Sequence, residues 1–144
     1  MIEDMFQGGA LPVLERVAQF TEARQKVLAN DIANLSTPFF KPTDLDPASF
    51  QQALSQAIDQ RRSSAQPQSG PLQMRDTDQL NFSTDGIQVI PGNSNQDILF
   101  HDQNNRSLIR LIQHQTENVL AQRVAVELMR SEFTTLRTAI REQV

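Results

Sequence analysis

The chain contains no cysteine, which excludes disulfides, thiolate nucleophiles and cysteine-based metal sites. It holds two histidines, His101 and His114, and neither sits in an HxxxH or HExxH spacing, so a metal bridging that pair lacks a third ligand. No run of about 18 apolar residues is present, and direct insertion into a membrane is not expected. Positive charge is not gathered anywhere. Lys and Arg total 13 against 17 Asp and Glu, giving a net charge of −4, and without a basic stripe the chain is not expected to bind nucleic acid. The motifs GxxxxGK, GxGxxG and GxSxG are also missing. Met1-Ile2-Glu3-Asp4 is acidic and leads into no basic-then-apolar stretch of the secretory type, so no ordinary signal peptide is expected.

Few chemical candidates remain. His101-Asp102, with Asn104 and Asn105, falls ahead of the last helix and reads as capping chemistry; His114 reads as a solvated or partly packed flank residue. Asp44, Asp46, Asp76, Asp78 and Asp85 raise the question of paired carboxylates or calcium, but Asp76-Thr77-Asp78-Gln79 lacks the glycine and later glutamate of a calcium loop and reads as a solvated loop. No catalytic residue, metal or cofactor is expected, and an enzyme is the minority reading.

The chain is rich instead in helical periodicity. Its 144 residues, 38 % hydrophobic, suit a single domain. Positions 11, 14, 18, 21, 25, 28, 32 and 35 alternate in steps of three and four, and Leu11, Leu14, Ala18, Leu28, Ile32 and Leu35 are apolar, which predicts an amphipathic helix over 11–36. Pro12 is tolerated in its first turn, and Gly8-Gly9 reads as a flexible lead-in that Met5 and Phe6 could extend. At the other end Ile112, Val119, Val126, Phe133 and Ile140 recur every seven residues, with Leu108, Gln115, Gln122, Met129 and Leu136 as companions. One helix over 107–143 is predicted, roughly 50 Å long at about 1.5 Å per residue.

The middle, 37–106, is polar and loop-rich. Asp46-Pro47 announces a short helix over 51–58, and Arg61 to Pro71 reads as a loop too polar to order itself. Asp85-Gly86 and Pro91-Gly92-Asn93 are turn signals flanking Ile87-Gln88-Val89-Ile90, which could pair with Leu80-Asn81-Phe82 as a small hairpin. The economical architecture is mainly α: the two long helices pair as a coiled-coil-like hairpin, with Leu14, Ala18, Leu28, Ile32 and Leu35 facing Ile112, Val119, Val126, Met129, Phe133, Leu136 and Ile140. Leu11, Val13, Val17, Phe20 and Val27 spread over more of the first helix than one partner helix covers, which predicts burial against neighbouring subunits.

The most distinctive stretch closes the first helix. In LANDIANLSTPFF the amides Asn30 and Asn34 lie four apart beside the apolar seam, Asp31 is next to them, and Pro38 halts the helix. Residues 28–38 resemble the LAxNIANxxTPGY signature of the flagellar axial proteins, the rod and hook components. Lys41-Pro42-Thr43-Asp44-Leu45-Asp46, Asn104-Asn105-Arg106-Ser107 and Val126 to Ile140 are similar to rod members of that family, so the likeness spans roughly 11–50 and 100–141. It implies a non-enzymatic subunit stacked with itself and other rod proteins into a hollow periplasmic rod of the basal body. It also implies a membrane-ring adaptor at the rod base as neighbour, and type III export as an unfolded chain without a cleaved signal. Asn30, Ile32, Asn34, Thr37, Pro38, Phe39 and Phe40 would then form subunit contacts. Phe39 and Phe40 replace the signature's glycine and tyrosine, so the turn is not expected to use a glycine conformation. The rival class is a cytoplasmic coiled-coil adaptor or chaperone that binds a partner helix.

Overall fold

A computed structural model describes residues 9–63, 72–83, 86–90, 92–93 and 108–142. Its elements are α1 (Leu11–Ala33), β1 (Thr43–Asp44), α2 (Pro47–Arg62), β2 (Leu80–Ser83), β3 (Gly86–Val89), β4 (Gly92–Asn93) and α3 (Leu108–Glu142). The protein is mainly helical, and α1 and α3 pack against each other. Met5, Phe6, Gly8, most of the loop predicted before Pro71, Asp85, Pro91, His101-Asp102 and Asn104 to Ser107 lie outside the described residues.

Gly9, at φ +63°, turns the chain into α1, where Val13 and Leu14 donate their N–H groups to the Ala10 carbonyl and Pro12 occupies the first turn. The helix stops at Ala33, three residues earlier than the apolar spacing predicts. Asn34 supplies the reason. Its backbone N–H and its side-chain amide both donate to the Asn30 carbonyl, at 3.0 and 2.9 Å, and this doubled cap ends the ladder before Leu35.

α2 begins where Asp46-Pro47 predicts, with the Asp46 carboxylate accepting the Ala48 and Ser49 N–H groups at 3.0 Å. It runs on to Arg62, past the predicted end at Ile58. Arg61 and Arg62, read from sequence as the start of a loop, form its last turn, where positive charge is favourable beside the terminal carbonyls.

The hairpin pairs Leu80 with Val89, Asn81 with Gln88 and Phe82 with Ile87. Asp76 accepts the Phe82 N–H at 2.7 Å and Thr77 accepts that of Leu80, so the stretch read as a solvated loop pins the start of β2. Gly92 and Asn93, read as a turn, instead form an antiparallel bridge with Asp44 and Thr43.

Phe20, Leu45, Phe50 and Leu80 make the core, with Val17, Val27, Phe82, Ile87 and Val89 packed around it. The rings of Phe20 and Phe50 stack 4.1 Å apart. Sequence reasoning gave Val17, Phe20 and Val27 to neighbouring subunits. They are covered within the chain, because the polar middle carries just enough apolar side chains, on α2 and the hairpin, to cap that side of α1.

The buried line of α3 also differs from the predicted heptad. Its most buried residues are Asn118 and Ala125, each 2 % exposed. Leu111, His114, Gln115, Val119, Gln122, Val126 and Met129 are half-buried around them. Ile112, Phe133 and Ile140 are exposed. One residue turns a helix position by about 100°, so a line through Leu111, Asn118 and Ala125 leaves Ile112 at the edge and Val119 and Val126 on the flank. At 35 residues against 23, α3 also outreaches α1, and beyond Met129 every described side chain is exposed except half-buried Leu136. On α1 the same offset buries Arg24 and Asp31, while Leu28 is fully buried, Leu14, Ala18, Gln25 and Ile32 are half-buried, and Leu35 falls half-buried in the turn.

Candidate functional site

Two features stand apart from ordinary core packing: a polar strap across the base of α1, and an apolar face on α3 turned to solvent. The strap is built on β1. Arg24 of α1 is 6 % exposed and grips the Asp44 carboxylate with two donors, Nε to Oδ1 at 2.8 Å and Nη2 to Oδ2 at 2.7 Å. His114 of α3 brings Nδ1 to 3.2 Å from Asp44 Oδ2, so one carboxylate ties three elements. Gln79 clasps the same segment from behind, donating to the Asp44 carbonyl and accepting the Asp46 N–H. His114 is therefore partly packed and engaged.

One turn further along α3, the Asn118 amide donates to the Thr21 carbonyl at 2.8 Å and to Gln25 Oε1 at 3.2 Å. The Thr21 hydroxyl donates back to the Val17 and Ala18 carbonyls. A buried amide between two helices sets their register, because a slip strands it without partners.

Asp31 is the feature sequence reasoning passed over. It is 1 % exposed; Oδ2 accepts the Thr43 N–H at 3.0 Å, and Oδ1 is buried with no hydrogen-bond partner. Burial pushes its carboxyl up to about 7; the Thr43 bond opposes this, and the nearby Asp44 charge adds to it. The signal was available in the spacing: 24, 28 and 31 continue a four-then-three stripe that carries Asp31 under the strap. The opposite case is Asp46, whose carboxyl the Ser49 hydroxyl, 2.6 Å away, and the α2 N-terminal N–H groups hold below the usual carboxylate range.

The signature residues gather at the end of α1. Asn30 is exposed and takes the Asn34 amide on Oδ1 at 3.1 Å, so both amides are engaged in ending the helix. Ile32 is half-buried, while Thr37 and Pro38 are exposed. Phe39 overturns the expectation drawn from its lack of a glycine. It sits at φ +61°, in the left-handed region, the residue 71 % exposed, and the turn keeps a glycine backbone while carrying a phenyl group. Phe40 beside it is half-buried, its N–H donating to the Thr37 carbonyl at 3.3 Å.

The second feature is the outer face of α3. Leu120, Val124 and Leu128, one turn apart along the flank of the Asn118–Ala125 line, are 56 %, 59 % and 49 % exposed, and Ile109 is 84 % exposed. Two clefts also open on the surface. One, of about 410 Å³, lies between α1 and β3 over Ala23, Val27, Ile87 and Val89; the other, of about 310 Å³, is polar and lined by Ser49, Gln52, Arg75 and Asp76. Among their lining residues neither sets a histidine or lysine beside a hydroxyl, and the Ser49 hydroxyl is engaged in capping by donating to Asp46. Among the described residues no three His, Asp or Glu side chains cluster to hold a metal, and no helix is long and apolar enough to cross a membrane.

No family model matches the chain, and no curated protein matches it.

Proposed function

We propose that the chain is a structural subunit of the proximal rod of a bacterial flagellar basal body, a protein of the FlgB type. In this reading α1 and α3 form an antiparallel, coiled-coil-like hairpin, and copies and related rod proteins stack on it helically, transmitting torque and enclosing a channel for exported substrates. The observation that carries it is the inverted character of α3. Its buried line holds Asn118 and Ala125, while Leu120, Val124 and Leu128 face water. Exposed apolar rows of this kind mark surfaces completed by another molecule. A second support is the signature of residues 28–38, which ends α1 beside the exposed, strained Phe39. The part of α3 past Met129, with Phe133, Leu136 and Ile140, extends beyond the reach of α1 and offers length for contacts along a tube.

Partners under this proposal are the chain itself, other rod proteins, the membrane-ring adaptor at the rod base and the export apparatus that delivers the chain unfolded to the periplasm. No catalytic role is assigned. Fractionation tests it: the protein is expected in purified basal bodies, and a soluble pool bound to a single partner helix would instead favour the adaptor reading. The Val126→Asp variant, which sets a charge at the flank of the α1–α3 seam, is expected to abolish rod assembly, and normal motility in that variant would overturn the hairpin scheme.

A further inference from the structure

We propose that the junction between α1 and β1 is a proton-operated latch, closed while the Asp31 carboxyl is neutral and loosened when it ionises. Three observations place it there. Asp31 is 1 % exposed, so an ionised carboxylate has no water to solvate it. Its Oδ1 is buried without a partner, and its one hydrogen bond comes from the Thr43 N–H, at 3.0 Å. Among the described residues no cation pairs with it: Arg24, the buried guanidinium of α1, turns its Nε–Nη2 edge to Asp44.

The charged groups around Asp31 reinforce this. On β1, Asp44 is a like charge that opposes ionisation of Asp31. On α3, His114 approaches Asp44 at 3.2 Å, and Arg110 is exposed. On the connecting segment Lys41 is exposed, and β4 contributes Gly92 and Asn93, which carry no charge.

The direction of the pH dependence follows. The folded chain holds the Asp31 proton up to about 7, against about 4 for an unfolded aspartate. Stability from the latch is therefore complete below about pH 4 and is lost as pH rises through about 7. Thr43 opens the segment that carries Asp44, so a loosened latch frees the strap that joins α1 to α3.

Thermal melts of the full chain at fixed ionic strength, from about pH 5 to about pH 8.5, test it. The wild-type Tm is expected to fall by about 5 °C or more across that range. Asp31→Asn is expected to remove this slope, and His114→Gln to keep it. A flat wild-type profile, or an Asp31→Asn profile that keeps the full slope, would overturn the latch. So would His114→Gln flattening the slope. Carbon-13 NMR titration of the wild-type Asp31 carboxyl decides the matter independently if Asp31→Asn does not fold. A midpoint near 7, with the Thr43 amide resonance moving alongside, supports the latch, and a midpoint below about 5 in the folded chain refutes it.

Discussion

The two faces of α3 carry opposite chemistry from what a solitary helix needs. The inner face, against α1, buries an amide, Asn118, and a methyl, Ala125, flanked by half-buried Gln115 and Gln122 and by half-buried Leu111, Val119, Val126 and Met129. The outer face shows water Leu120, Val124 and Leu128. A buried amide at the centre of the inner face and an exposed apolar row outside make sense if the two faces do different jobs. The inner one sets register through a few directed hydrogen bonds; the outer one supplies nondirectional adhesion to something beyond the chain. The apolar content of the sequence is thus divided between holding the chain together, done chiefly by Phe20, Leu28, Leu45, Phe50 and Leu80, and an exposed row that the rod proposal assigns to contacts between subunits.

Substitutions on the inner side should cost the monomer most. Leu28 is fully buried, and Leu28→Ala is expected to lower its stability by about 2–5 kcal/mol in denaturant unfolding. A loss below about 1 kcal/mol would show that the α1 interior is loosely packed. Next in size is Asn118→Ala, which removes the donor to the Thr21 carbonyl from a site 2 % exposed; about 1–3 kcal/mol is expected. If that variant is as stable as wild type, the inner face is not held by its amide, and the contrast between the faces weakens.

These sites also show how far the sequence could be read. The two long helices, the Asp46-Pro47 start of α2 and the pairing of the β2 and β3 segments followed from periodicity and turn chemistry, because those signals are local. What escaped was the rotation of each stripe. A heptad count weights Ile112 and Phe133 over Asn118 because leucine-like residues are assumed to face inward. In α3 the largest apolar side chains face outward, so the count settled one residue away from the true line. Asp31 and Arg24 were hidden for the same reason, since a charged residue on a stripe reads as an interruption until its partner is known. That partner, Asp44, lies 20 residues away from Arg24 on a two-residue strand no local pattern announces.

Phe39 belongs with the outer face, because its cost is borne by the monomer without any visible return among the described residues. A non-glycine residue at φ +61° carries about 1–3 kcal/mol of strain. Glycine relieves that but enlarges the entropy of the unfolded chain. The net expectation for Phe39→Gly is a gain of about 1 kcal/mol, seen as a rise of a few degrees in Tm, together with weaker assembly. A less stable variant would mean that the side chain of Phe39, a residue 71 % exposed, still makes contacts the monomer needs.

The smallest monomer effect should come from the outer face, and it discriminates best. Val124 is 59 % exposed on the row between Leu120 and Leu128. Valine and aspartate have similar helix propensities, and exposed substitutions usually move stability by no more than about 0.5 kcal/mol, so Val124→Asp should leave the denaturant midpoint of the monomer almost unchanged. The same charge placed in an intersubunit contact would be stripped of water with no partner to compensate it. Incorporation into basal bodies is therefore expected to be lost while the monomer stays folded, a separation that Leu28→Ala cannot produce. If Val124→Asp unfolds the monomer, the outer row is covered within the chain, and the division of labour between the two faces fails. If it assembles normally, the exposed row of α3 is not the adhesive surface, and the contacts must be sought around Phe39 and the far end of the helix.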